Sequence, residues 1–156
     1  MIHCLPLTEW SNLNVNPVVG CYGPQGERCP YCYPPKIVKW FNKFKRNCKL
    51  CDQFIPHPHL EQVDKLTPRQ KPKFVFIDGF FDWNGERIEK EWLRTILDRI
   101  TECPQHTFPI LSKRPELYDR YGFTYPSNVM LGATVTCFRR SASKNTRTSF
   151  FICLFS

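Results

Sequence analysis

Apolar residues recur at helical spacing in two stretches of this chain and form short runs of strand length in four others. In residues 36–46, K-I-V-K-W-F-N-K-F-K-R, Ile37, Trp40, Phe41 and Phe44 fall at i, i+3, i+4 and i+7. They predict a helix whose aromatic stripe packs into the core, with Lys36, Lys39 and Lys43 elsewhere around it. Residues 86–102 predict a stronger helix, in which Ile88, Trp92, Leu93, Ile96, Leu97 and Ile100 form a wide apolar face. Asn84 is the expected cap, and Pro104 follows the end. The strand-like runs are 13–20, 73–79, 106–112 and 128–136, with a short helix at 115–121. Pro109 is awkward in the third run because proline cannot donate to a ladder. Strand and helix alternate, which predicts an α/β domain with a parallel sheet and right-handed crossovers. In such sheets ligand chemistry gathers at the carboxyl ends of strands. That rim would carry the cysteines after the first strand, Asp78 and Gly79 after the second, Ser112, Lys113 and Arg114 after the third, and Thr136 and Cys137 after the fourth.

Composition narrows the class. No apolar run approaches the ~18 residues of a membrane span. The N-terminus lacks the basic-then-apolar order of a secretory signal. A cytoplasmic, reducing location follows, where nine cysteines are expected as ligands and free thiols rather than as disulfides. Of these, Cys4, Cys103 and Cys153 read as small buried or terminal residues, and Cys137 as structural. The net charge is +8, which raises the question of nucleic acid. Part of the excess lies in Arg139, Arg140, Lys144 and Arg147, and most of the rest in Lys36, Lys39, Lys43, Lys45, Arg46 and Lys49. The second group reads first as a solvated helix face and second as a surface for nucleic acid or another anion. Residues 138–156 contain no acid and end in F-F-I-C-L-F-S, an atypical tail expected of a truncated or frameshifted gene. The domain is expected over 1–137, with a cysteine- and histidine-bearing helix and insert over 33–72. The oligomeric state is not legible.

Three cysteines within twelve residues, Cys21-x7-Cys29-x2-Cys32, suit a soft metal centre. Three thiolates suggest an iron–sulfur cluster with one iron open to a small molecule such as S-adenosylmethionine. Tyr31 would pack beside a cofactor ring, and Gly23, Pro24 and Gly26 suit a loop wrapped around an inorganic core. Zinc competes in two forms. Cys29, Cys32, Cys48 and Cys51 match Cys-x2-Cys-x15-Cys-x2-Cys, a four-thiolate structural spacing. Alternatively, Cys48, Cys51, His57 and His59 form a local clip organising the irregular 47–72 stretch, although His-x-His departs from the usual H-x3–5-H close. The remaining reading of P-H-P-H is a polar, proline-stiffened loop.

Cys-x7-Cys-x-Tyr-Cys resembles a variant of the radical S-adenosylmethionine signature, Cys-x3-Cys-x-aromatic-Cys. Six segments together resemble an uncharacterised phage and prokaryotic family of the domain-of-unknown-function type with radical-SAM-like features. They are W-S-N-L-N-V-N-P-V-V-G-C, C-P-Y-C-Y, F-I-P-H-P-H-L-E, K-P-K-F-V-F-I-D-G-F-F-D, C-P-Q-H-T-F-P-I-L-S-K-R-P and N-V-M-L-G-A-T-V-T, spanning roughly 8–137. The resemblance implies a partial (β/α) barrel of about four parallel strands, a [4Fe–4S] cluster on Cys21, Cys29 and Cys32, and reductive cleavage of S-adenosylmethionine. Tyr31, Asp78, Gly79 and Asp82 would contact the cofactor, and Asp78 and Lys113 are the candidate catalytic groups. The chain departs from the signature in its seven-residue gap, and I-D-G-F-F-D stands where Gly-Gly-Glu is common. The alternatives are a zinc-binding structural or nucleic-acid-binding module, or a non-functional fragment.

Overall fold

The structure, a computed structural model, describes residues 11–23, 26–45, 48–138 and 148–155. The readings attached to Cys4, Pro24, Arg46 and the basic tail residues 139–147 lie outside this range. The strands are mostly short. β1 (Leu13–Asn14) runs parallel to β4 (Val75–Phe76), and β2 (Val18–Val19) antiparallel to β3 (His57–Pro58). β5 (Phe108–Ser112) runs parallel to β6 (Val129–Phe138), which pairs antiparallel with β7 (Thr148–Phe155) in the tail. The helices are α1 (Pro34–Lys45), α2 (Lys49–Gln53) and α3 (Lys90–Glu102), with 3₁₀ turns at Leu60–Lys65 and Pro115–Leu117.

The expected partial (β/α) barrel of four parallel strands is not formed. The described strands make two two-stranded sheets and one three-stranded sheet, none closed. The edge of β5 that faces β4 explains the break. Thr107 N–H donates to the Lys73 carbonyl at 2.9 Å, in an isolated bridge between Phe74 and Thr107. The next N–H on that edge is missing, because residue 109 is proline. The one after it, Leu111 N–H, donates to Asp78 Oδ2 at 2.6 Å. A side chain thus stands where a backbone carbonyl would have continued the ladder.

The main core lies between α3 and the β1, β4 and β5 strands. α3 buries Leu93, Ile96, Leu97 and Ile100 among Val15, Val75, Ile77, Phe108 and Ile110. Each such side chain contributes about 2 kcal/mol relative to exposure. The helix starts later than predicted, after Arg87 in left-handed backbone (φ 60°). Asn84 does not cap it. Its side-chain amide donates to the Arg114 carbonyl at 2.9 Å instead.

α1 differs more. Pro34 and Pro35 open the helix rather than break the chain, as the fixed proline φ allows in a first turn. Its buried face is Pro34, Val38 and Asn42. Three residues of the stripe expected in the core turn outward, with Trp40 60 % and Ile37 and Phe41 each 37 % exposed; the Phe44 side chain lies outside the described residues. Periodicity identified the helix correctly and its inner face wrongly, because Asn42 is claimed by the segment that follows.

Candidate metal centre

Residues 48–59, expected to be irregular, are built to converge four ligand atoms. Cys48 precedes α2 and Cys51 lies one turn on, so both thiols project to one side of the short helix. Phe54 adopts left-handed backbone (φ 52°) and ends α2, with its N–H on the Cys51 carbonyl and the Ile55 N–H on that of Leu50. The chain then reverses into extended backbone, where His57 and His59, two residues apart, share one face. This resolves the unusual His-x-His spacing. H-x3–5-H suits two ligands on a helix, whereas H-x-H suits two on a strand. Gly20 admits the reversal. Its φ is 102°, and a Cβ there would stand 2.3 Å from the Ile55 carbonyl carbon, so only glycine lets the end of β2 press against the 55–56 backbone.

The four ligand atoms lie within 4.8 Å of one another. His57 Nε2 is 3.4 Å from both Cys48 Sγ and Cys51 Sγ, His59 Nε2 is 3.2 Å from Cys51 Sγ, and the two Nε2 atoms are 3.0 Å apart. A tetrahedral zinc with its ordinary bond lengths sets S···N edges of roughly 3.5 Å and an N···N edge of roughly 3.3 Å. The outer ring nitrogens set the tautomers. His57 Nδ1 donates to the Ile55 carbonyl at 2.6 Å, and His59 Nδ1 faces Glu61 Oε1 at 3.3 Å. Both Nε2 atoms then point lone pairs at each other and at two sulfurs. A metal cation at their centre satisfies all four at once, and carbonyl and carboxylate partners on Nδ1 are how metal-bound imidazoles are held. Two sulfurs and two nitrogens, with no fifth ligand in the group among the described residues, describe a closed, mononuclear, zinc-type structural site.

The centre is fastened to α1 by Asn42, which is 3 % exposed. Its amide donates to the Cys48 carbonyl at 2.9 Å and to Asp52 Oδ1 at 2.8 Å, while its Oδ1 accepts from Cys48 N–H at 2.7 Å. Sequence reasoning missed Asn42. The only trace was a poor helix former in mid-helix. Asn42→Ala is expected to weaken zinc affinity about 10- to 100-fold, measured by competition with a chromogenic chelator. Unchanged affinity would remove Asn42 from the support of the centre.

The three-cysteine motif is not the metal group. Among the described residues, only Cys48, Cys51, His57 and His59 converge as a set of three or more metal-ligating side chains. This overturns the [4Fe–4S] cluster, bound S-adenosylmethionine and the radical-SAM reading. The four-thiolate zinc site is likewise not formed, because Cys48 and Cys51 take histidine partners while Cys29 and Cys32 line a separate cavity. The seven-residue gap carries Cys21 deep beside Asp82. Burial first, then the Asp82 carboxylate, pushes its thiol up to about 12. Burial also raises Cys32.

The other predicted residues Tyr31, Asp78, Gly79, Asp82 and Lys113 do meet, in that same cavity of about 90 Å³. Asp82 anchors its wall, accepting from Ser112 Oγ at 2.6 Å, Lys113 N–H at 2.9 Å and Asn84 N–H at 3.1 Å. Lys113 remains charged. Burial pulls its pKa down, but Asp82 and the neighbouring thiols raise it further than burial lowers it.

No helix among the described residues is long and apolar enough to cross a membrane. No curated protein and no solved structure matches the chain. A family model described as protein of unknown function (DUF5131) matches residues 7–148. The expected kinship with a domain-of-unknown-function family is met in this form, without the radical-SAM-like motif. With most of its length matched, and with a two-cysteine, two-histidine centre in place of the expected cluster, the chain belongs to the DUF5131 family.

Proposed function

We propose that this chain is a zinc-stabilised module that binds single-stranded nucleic acid on the outward face of α1. The zinc-bearing insert, 33–72, is the binding part of the 1–137 domain. The carrying observation is that face itself. Tyr33, Ile37, Trp40 and Phe41 are its exposed large apolar groups, and Lys36, Lys39 and Lys43 are exposed among them. α1 holds no acidic residue. Aromatic planes interleaved with ammonium groups stack bases and neutralise phosphates. Trp40 is 60 % exposed on this face. Asn42 lies on the opposite side and ties this helix to the metal centre, so zinc sets how the face is presented. Cys21, Cys29, Cys32, Cys48, Cys51 and Cys103 form no disulfide, which suits a reducing, cytoplasmic compartment.

Binding of a labelled single-stranded decamer, as RNA and as DNA, tests the proposal. Trp40→Ala is expected to weaken it about 10-fold, as for loss of one stacked base. Affinity should fall with salt, with a logarithmic slope of about −2 for three neutralised phosphates. Absence of salt-dependent binding by the zinc-loaded chain would sink the proposal.

A further inference from the structure

Two cavities meet behind α1. The larger, about 440 Å³, opens beside Tyr33, Ile37 and Phe41. The narrower, about 90 Å³, reaches the Cys21 and Lys113 wall. Tyr33, Phe76, Gly79 and Phe80 line both, so the two are compartments of one space in the size range of ligand sites. Asn16, which lines the large compartment, and Asp78, which lines the small one, each hold a buried side-chain oxygen, Oδ1, with no hydrogen-bond partner among the described residues. Asp78 is 5 % exposed, and its other oxygen is already occupied by Leu111 N–H. Buried polar atoms are seldom left unmatched, so this pair marks where a ligand's polar edge belongs. Gly79 leaves the gap between them. A Cβ there would come 3.0 Å from Asn16 Oδ1 and 3.3 Å from the Phe76 ring.

We propose that this space receives one unpaired nucleobase, its rings among Tyr33, Phe76 and Phe80 and its hydrogen-bonding edge on Asn16 and Asp78. The inference rests on the nucleic-acid reading above and deepens it: the outer face of α1 holds the strand, and the space behind it holds one base. Aromatic walls with a few polar groups on the base edge are how extruded bases are read. Burial holds the Asp78 carboxyl well above the usual range, which favours the protonated form and makes it a donor, while Asn16 Oδ1 accepts. A donor and an acceptor are what the edge of a base presents groups for.

Saturation-transfer NMR of the zinc-loaded full chain with free adenosine and free cytidine tests the space apart from the strand. The native chain and Trp40→Ala are expected to bind nucleoside alike. Asn16→Ala and Gly79→Ala are expected to weaken binding about 10-fold, with zinc content and circular dichroism unchanged. Nucleoside binding with loss of decamer binding would uphold the base site and defeat the strand-binding function. Decamer binding without nucleoside binding, or nucleoside binding unaffected by Asn16→Ala, would overturn the base site and leave that function standing.

Discussion

Cys51→Ser is expected to abolish zinc binding, taking the metal content from about one ion per chain to none. Cys51 Sγ lies in reach of both imidazoles, and the residue is fully buried. It also belongs to the second hydrophobic cluster, with Val19, Val38 and Phe54, so metal and packing fail together there. Structural zinc contributes on the order of 10 kcal/mol to small modules that depend on it. Here the main core around α3 does not draw on the centre, so the loss is local. The 48–59 reversal and the docking of α1 come apart, and trypsin cleaves at Lys49 at least about 10-fold faster than in the native chain. Chelation of the native protein gives the same pattern. Cys29→Ser is the control and keeps its zinc. If zinc were retained in Cys51→Ser and lost in Cys29→Ser, the centre would be wrongly assigned.

Asp82→Ala is expected to lower global stability by about 4 kcal/mol while leaving zinc bound. Asp82 is 6 % exposed and satisfies three donors, two of them backbone N–H groups and one the Ser112 hydroxyl. Ser112 Oγ in turn accepts from Arg114 N–H at 2.9 Å, so one carboxylate organises the whole turn after β5. Truncation leaves buried donors without partners at about 1–3 kcal/mol each, and water reaches the site poorly. For a chain of this size the melting temperature should fall by roughly 8–16 °C, followed by circular dichroism. Asp82→Asn, which keeps one acceptor, should lie between. A shift under about 3 °C would show that the turn holds without Asp82. Asp82 is therefore an anchor of the cavity wall.

Both predictions turn on residues that are visible in the sequence. Cys48, Cys51, His57 and His59 stand there as one zinc option of two, with a His-x-His spacing that only a helix–reversal–strand path makes natural. Cys21, Cys29 and Cys32 were favoured because they are dense in sequence, yet density along the chain does not converge ligand atoms in space. The α1 stripe shows the same limit. Its period of 3.6 is a local property, but which face is buried depends on what packs against it, and here Asn42 and its partners decide.

By itself the sequence determined the α/β alternation, the positions of α1, α3, β5 and β6 but not of β7, the thiol and imidazole ligands available, and the gathering of Asp78 and Lys113 near the ends of strands. These follow from periodicity, chain direction and side-chain chemistry, which act over a few residues. Tertiary structure alone decided that the strands do not join into one sheet, because Pro109 and the Asp78 carboxylate interrupt a ladder between segments about thirty residues apart. It also decided which cysteines meet which histidines, because convergence of lone pairs to within 4.8 Å is set by the left-handed turn at Phe54 and the close approach of Gly20, and neither is written in the ligand spacing.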